Sequence, residues 1–269
     1  MFKLKKNISL CKAGEFNLTK TSKRGFDLND KRWFSEHELL KLKKAHEEIK
    51  WLLDRDYNLE AIMNFVGGRY QFTIRQRDAL KRSTCSTNKE MLRKTKELNI
   101  NNLIDKTINI DGFNLIINLE VALSGGTLIV GNDGLVRDLA GLRGTYKLID
   151  KTDMAIEYLF RFLETKKIKA VNIYLDLPVS NSGNLKIRIM EHTNKYKILT
   201  NVILVNNADV VLEKFDFVVT SDATILDKCN SYLNLSKNII NEYIPDAKLI
   251  SLSNPTLTVL KSEHLNQKH

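Results

Sequence analysis

INIDGFNLI, residues 108–116, decides how the body of this chain is read. An apolar run reaches Asp111, passes Gly112, Phe113 and Asn114, and a second apolar run begins at once. The β-branched residues before the aspartate read as a strand. After it, Leu115, Ile116, Leu119, Ala122 and Leu123 recur at helical spacing, which predicts a helix over 113–123. A carboxylate at such a junction has two readings. Aspartate is a favoured helix N-cap. The carboxyl end of a strand is also where an open parallel sheet binds its ligands.

The same texture continues downstream. Apolar runs at 107–110, 127–130, 171–175, 201–205, 217–220 and 248–252 read as strands. Helical patterns at 151–165, 184–195, 207–213, 222–230 and 236–243 alternate with them. Continuous apolar strands alternating with helices predict an α/β domain over 101–255, a mostly parallel sheet covered on both faces.

Upstream the chain looks different. Residues 35–56, 58–68 and 73–85 read as three amphipathic helices of a basic domain over 35–100. Ser35 with Glu38 and Thr73 with Gln76 have capping-box spacing. Asn58 is placed to cap the second helix and Gly67 or Gly68 to end it. Residues 86–105 lack a clean apolar stripe, so the boundary falls near 100. Residues 1–34 read as irregular and 256–269 as a tail.

The 269 residues carry a formal net charge of +10, and all of the excess lies in the first hundred. Arg75, Arg77, Lys81 and Arg82 share the third helix, followed by Lys89, Arg93, Lys94 and Lys96. A surface for a polyanion is one reading; a solvated Lys-rich face is the other. Asn and Gln are sparse there, against sequence-specific reading of DNA. No apolar run approaches a membrane span of roughly 20 residues, and the basic start has no apolar segment long enough for a signal peptide. Cys11, Cys85 and Cys229 are far apart with no metal-ligand spacing. A reducing cytoplasm is the expectation, with no membrane partner.

Asp111 has company. The second strand leads to Asp133, the third ends at Asp176, and the strand at 217–220 is followed by Ser221 and Asp222. If those strands are neighbours, four carboxylates converge on one sheet edge. Their mutual repulsion is relieved by a hard cation, Mg²⁺ or Mn²⁺, which favours oxygen ligands. Asp111, Asp176 and Asp222 are the expected ligands. Such a site suits phosphodiester hydrolysis. The plainer account is that each aspartate only caps its own helix or turn. Asn114 is placed to contact a scissile phosphate. Ser180 and Ser182, beside Gly183, can cradle a phosphate at a helix start; Ser221 and Arg137 complete the substrate-binding set, with Arg75, Arg77 and Arg82 on the basic helix. The GK[ST] form of a P-loop is missing. Glu120 and Asp227 are expected to face away from the edge, and Asp209 and Asp216 to be turn residues. The five histidines, His37, His46, His192, His264 and His269, read as surface groups.

These residues carry a resemblance. INIDGFNLI resembles the first strand of PIN and NYN-type nuclease domains, where an Asp-Gly-x-Asn turn is common. VVTSDATIL (218–226) is similar to their later strand, where Ser/Thr-Asp opens a helix. The resemblance implies a three-layer α/β/α sandwich over about 105–250 and an acidic Mg²⁺- or Mn²⁺-dependent site that cuts RNA. Asp111 and Asp222 match best, and Asp176 supplies a middle carboxylate. The whole chain also resembles a prokaryotic, largely archaeal family that pairs a short N-terminal helical segment, here residues 52–82, with a PIN-like domain. The other matching stretches are IDGFNLIINLEVAL (110–123), NDGLVRDLAG (132–141) and LDLPVSNSG (175–183). Two functions remain open. One is a metal-dependent ribonuclease. The other is a non-catalytic RNA- or DNA-binding module, a helix-turn-helix-like front on an inactive PIN-like body. A phosphatase or nucleotide-binding enzyme using the same edge is a third, weaker option.

Overall fold

A computed structural model describes residues 22–253 apart from Arg143; the expectations for the N-terminus before residue 22 and for the 256–269 tail, with Cys11, His264 and His269, fall outside the described residues. Helices α1 (Asp30–Trp33), α2 (Glu36–Leu53), α3 (Leu59–Arg69), α4 (Ile74–Ser83) and α5 (Thr87–Lys96) form the front. Side chains set several of their starts. Asn58 accepts from the Glu60 and Ala61 N–H groups, and Thr73 with Gln76 closes a capping box. Ser35 makes no such bond, and the Glu38 carboxylate, the other half of the expected box, is engaged by Lys41 and Gln76. Gly67 and Gly68 lie inside α3 rather than ending it. His46, expected at the surface, is buried on α2, with Nε2 3.3 Å from the Ser83 carbonyl.

Beyond them, β1 (Thr107–Asp111) runs into α6 (Gly112–Leu123) without a loop. Then come β2 (Leu128–Val130), β3 (Val136–Asp138), α7 (Thr152–Thr165), β4 (Ala170–Asp176), α8 (Ser182–Thr193) and β5 (Leu199–Val205). The last part holds α9 (Ala208–Leu212), β6 (Val218–Val219), α10 (Ala223–Lys228), β7 (Tyr232–Leu233), α11 (Leu235–Tyr243) and β8 (Leu249–Ser251). Five strands make an all-parallel sheet in the order β5-β4-β1-β6-β7. Strand alternation divides its side chains between two cores. Ile108, Ile110, Val171 and Ile173 pack with α6, α7, α8 and α11 on one face. Tyr174 and Val218 pack with α9 and α10 on the other. The result is the expected three-layer α/β/α arrangement behind a helical segment.

The expected single sheet is in fact two. The strands at 127–130 and 248–252 do not join the main sheet. They form a second, three-stranded sheet in the order β3-β2-β8, with β2 antiparallel to β3 and parallel to β8. Its alternation explains why it exists. Leu128 and Val136 point into the core beneath α6, while Ile129 and Ile250, with Leu139 and Leu252, pack under Leu42, Ile49, Ile62 and Leu80 of the front helices. The small sheet is a plate with a core on each side, and the front and body share it. Among the described residues no helix is long and apolar enough to cross a membrane.

Candidate active site

The main sheet runs from β1 outward to β4 and β5 on one side, and to β6 and β7 on the other. The order therefore reverses at β1, and the crevice beyond its carboxyl end is where this class of sheet binds ligands. Asp111 ends β1, Asp176 ends β4, and Thr220, Ser221 and Asp222 follow β6 directly. Gly112 is dictated by the tightness of this junction: a Cβ there would stand 2.6 Å from Leu175 Cδ2 and 3.0 Å from the Tyr174 carbonyl oxygen.

Asp111 is buried at 7% exposure. Its Oδ1 accepts from the Asn114 N–H at 3.3 Å and its Oδ2 from the Thr220 hydroxyl at 2.9 Å. Burial pushes its carboxyl up to about 7, and the negative charges of Asp209 and Asp222 add to the effect, against the lowering by those two hydrogen bonds. Asp209, on α9, is raised in turn by burial and by Asp222 and Asp176. Asp209 and Asp222 thus act on Asp111, and Asp222 and Asp176 on Asp209, across the edge. Among the described residues no lysine or arginine forms an ion pair with any of them. Lys228, whose charge reaches Asp209, is itself paired with Glu213 at 2.6 Å.

Capping is also real. Asp111 caps α6, Asp222 caps α10 through the Thr224 and Ile225 N–H groups, and Asp176 accepts from the Ala208 N–H at 2.7 Å. Each bond uses one carboxylate oxygen of Asp176 and of Asp222 and leaves the other without a hydrogen-bond donor among the described residues.

Asn114 is fixed by its neighbours. Its Oδ1 accepts from both the Ser221 N–H and the Ser221 hydroxyl, each at 2.9 Å. That assigns Oδ1 to Ser221 and leaves the Nδ2 donor without a partner among the described residues, on a side chain that lines the cleft. Beneath it Asn118, fully buried one helical turn on, donates to the Val136 carbonyl and the Ser221 hydroxyl.

The expected residues do not all meet. Asp133 follows β2, so it stands with the second sheet and not on the acidic edge. Its carboxylate is gripped by Arg137 and Arg93, each 2.6 Å away and both buried. Burial alone would raise it, but the two guanidinium groups hold it below the usual carboxylate range. Arg137 is spent in this pair and on the Ser221 and Arg82 carbonyls. Arg75 is bound to Asp30 and to the Leu139 and Gly25 carbonyls, and Arg77 to the Phe72 and Met63 carbonyls. Both are internal braces rather than phosphate contacts. Ser180 bonds the Tyr146 backbone and Ser182 the Leu177 carbonyl, so the 177–183 loop is tied shut. Arg82 remains half exposed.

Arg82 lies on a cleft of about 640 Å³ that joins the front to the acidic edge. Lys81, Arg82 and Lys89 line one wall; Asn114, Ser221 and Asp222 line the other. Glu120 faces away, buried against Arg24, Tyr146 and Thr152, and Asp227 pairs with Lys89 and Arg93. The sequence reading passed over Asp209, Thr220 and Asn118. Asp209 had a visible signal, a carboxylate just past a strand; Asn118 lies four residues after Asn114, on the same helix face.

As a metal site, the donors at the edge are oxygens only, a set for hard cations and not for zinc. Among the described residues no three His, Cys, Asp or Glu side chains are grouped so as to hold an ion unaided. Of the hard cations, Mg²⁺ and Mn²⁺ can be held by one or two carboxylates with waters and substrate phosphate filling the rest of the shell.

Residues 100–238 match the family described as "Domain of unknown function (DUF5616)", and residues 41–96 match "Protein of unknown function (DUF434)". The chain is similar to "Uncharacterized protein MJ0935" of Methanocaldococcus jannaschii, with 36% identity over 191 residues, 71% of this chain and 91% of that protein. No solved structure matches it.

Proposed function

Because the chain belongs to the DUF5616 family and carries a DUF434 segment ahead of it, its acidic edge and basic helices come as one unit, and we propose that this unit is a metal-dependent ribonuclease. One observation carries the reading. Asp111, Asp176, Asp209 and Asp222 gather at the sheet's switch point with no ion pair to a lysine or arginine among the described residues, and a cleft lined by Asp222 and Asn114 also holds Lys81, Arg82 and Lys89. A fold keeps such repulsion at a cost, and functional sites are where that cost is common. The PIN-like turn at Asp111–Asn114 and the Ser221–Asp222 pair point the same way.

Asp111 and Asp222 would hold Mg²⁺ or Mn²⁺, with Asp209 and Asp176 adding negative charge behind them. The ion's contribution is to neutralise phosphate charge and polarise a phosphoryl oxygen. The chain's own groups do the positioning. Thr220 fixes the Asp111 carboxylate, Ser221 fixes Asn114, and the Asn114 amide offers a donor to a phosphate oxygen in the cleft. Because the Thr220 hydroxyl also accepts from the Asp222 N–H at 3.1 Å, the two principal carboxylates are set relative to each other by one side chain.

The test is cleavage of a labelled single-stranded RNA by the full-length chain. Cleavage is expected with Mg²⁺ or Mn²⁺, and loss on chelation and in Asp111→Asn and Asp222→Asn. Cleavage that survives both substitutions would overturn the assignment. RNA bound but uncut with either metal would favour the non-catalytic module, in which Asp111, Asp176 and Asp222 serve only as caps.

A further inference from the structure

The cleft wall contributed by the front helices holds a group that the hydrolytic site does not use. Tyr57 stands in the turn between α2 and α3, just after Asp56, whose φ of 60° places it in the left-handed region. Its side chain is 58% exposed and makes no hydrogen bond or ring contact among the described residues. Other exposed rings are occupied or lie elsewhere. Trp51 is covered by the Arg55 guanidinium at 3.6 Å, and Phe65 lies with Trp51 in a separate apolar hollow. Tyr57 is the one aromatic side chain among the described residues of the cleft, between Leu53 and Leu59.

The cations of the same wall complete a pattern. Lys81 makes no ion pair among the described residues, and Arg82 reaches only to 4.0 Å from Asp138. Asp56 and Asp78 also line the wall, so it is no broad polyanion groove. The cleft's volume of about 640 Å³ lies within the roughly 300–1,000 Å³ of a small-ligand site. That is room for a nucleotide or two, and not for a folded RNA.

We infer that Tyr57 is a base-stacking residue. A nucleotide next to the scissile phosphate lays its base on the Tyr57 ring, while Lys81 and Arg82 hold the backbone between that ring and Asp222. Every nucleobase offers a π-face, so such a platform takes any base, and each stacked base contributes about 1–3 kcal/mol. The front helices are then half of the substrate cleft. The inference rests on reading the acidic edge as a nucleic-acid site, so its test separates the two.

The probe is fluorescein-labelled hexa-uridylate, beside an abasic ribose-phosphate oligomer of the same length. Both are titrated against the full-length Asp111→Asn chain, which leaves the RNA whole. Adding Tyr57→Ala is expected to weaken hexa-uridylate binding roughly 5- to 150-fold and to leave the abasic oligomer unchanged. Tyr57→Phe keeps the ring and is expected to stay within about twofold. Lys81→Glu should make the salt dependence shallower by about 0.7 in log–log slope, one phosphate contact on a single strand. Equal affinity for hexa-uridylate with and without the Tyr57 ring would overturn the stacking role. A matching loss for the abasic oligomer would do the same, pointing to a collapsed wall. If the Asp111→Asn chain with Tyr57 intact binds neither oligomer at low salt, the nucleic-acid reading of the whole edge falls with it.

Discussion

Asp111 ends one strand and Asp133 follows another, the carboxylates of both are buried, and the two are held in opposite ways. Two arginines clamp Asp133, which stays ionised far inside the protein. Asp111 faces other carboxylates, and its pKa rises to about 7. The first arrangement is a brace: it ties α5 and β3 together at the root of the cleft. The second is an electrostatic liability that the rest of the fold tolerates. A buried acid that has found its counter-charge explains a structure, whereas one left without it asks what is meant to arrive.

Substitutions sharpen this contrast. The largest effect is expected from Asp133→Ala, which leaves the buried Arg137 guanidinium without a carboxylate and Arg93 with Asp227 alone; it should cost about 3–5 kcal/mol in chemical denaturation. Since the folded pKa of Asp133 is depressed, its stabilisation is present above its unfolded value near 4. It is lost as pH falls through the folded value, so the penalty of the substitution should shrink in acid. Asp111→Asn should act in the other direction and stabilise the fold by roughly 2–4 kcal/mol at pH 8. Here the folded pKa is raised. The charged form costs stability in full above about pH 7, less between there and the unfolded value near 4, and not at all below it. The gain in Tm should therefore vanish in acid. Equal destabilisation by both substitutions would erase the distinction between the sites.

Thr220→Val removes the hydroxyl that Asp111 accepts from. A carboxyl-carbon NMR titration should show Asp111 moving up by about one pKa unit, the size of one hydrogen bond to a charged acceptor. The smallest effect is expected at Arg82→Ala, within about 0.5 kcal/mol in thermal stability, because this side chain is half exposed and its carboxylate neighbour stands at 4.0 Å. Arg75→Ala is the control, since its ion pair with Asp30 is buried; it should be far more damaging.

Much of this was legible in the sequence. The INIDGFNLI stretch gave away β1, the junction and α6, because a strand period and a helix period abut there with only a glycine between them. The long helices and the seven-residue strands β4 and β5 were equally plain. What escaped was short or distant. A three-residue strand such as β3 is too brief to show alternation, so β2 and β8 read as strands of the main sheet and the plate that β3 completes does not show. Without it, Asp133 looked like a fourth member of the acidic edge. Arg93 lies 40 residues before Asp133 and Arg75 lies 45 after Asp30. Nothing local in a sequence distinguishes a basic residue that braces the interior from one that meets a phosphate. Asp209 reads as a turn residue even within a predicted helix, because nothing local shows that α9 carries it to the carboxyl edge of the sheet.

The plate also orders events in time. β8 lies more than 150 residues after the front helices begin, yet it pairs with β2 and lays Ile250 and Leu252 beneath them. Those helices leave the ribosome before β8 does, and their underside stays open until that strand emerges. The front therefore cannot be completed as a cassette during synthesis: an early segment waits for a late one to be sealed.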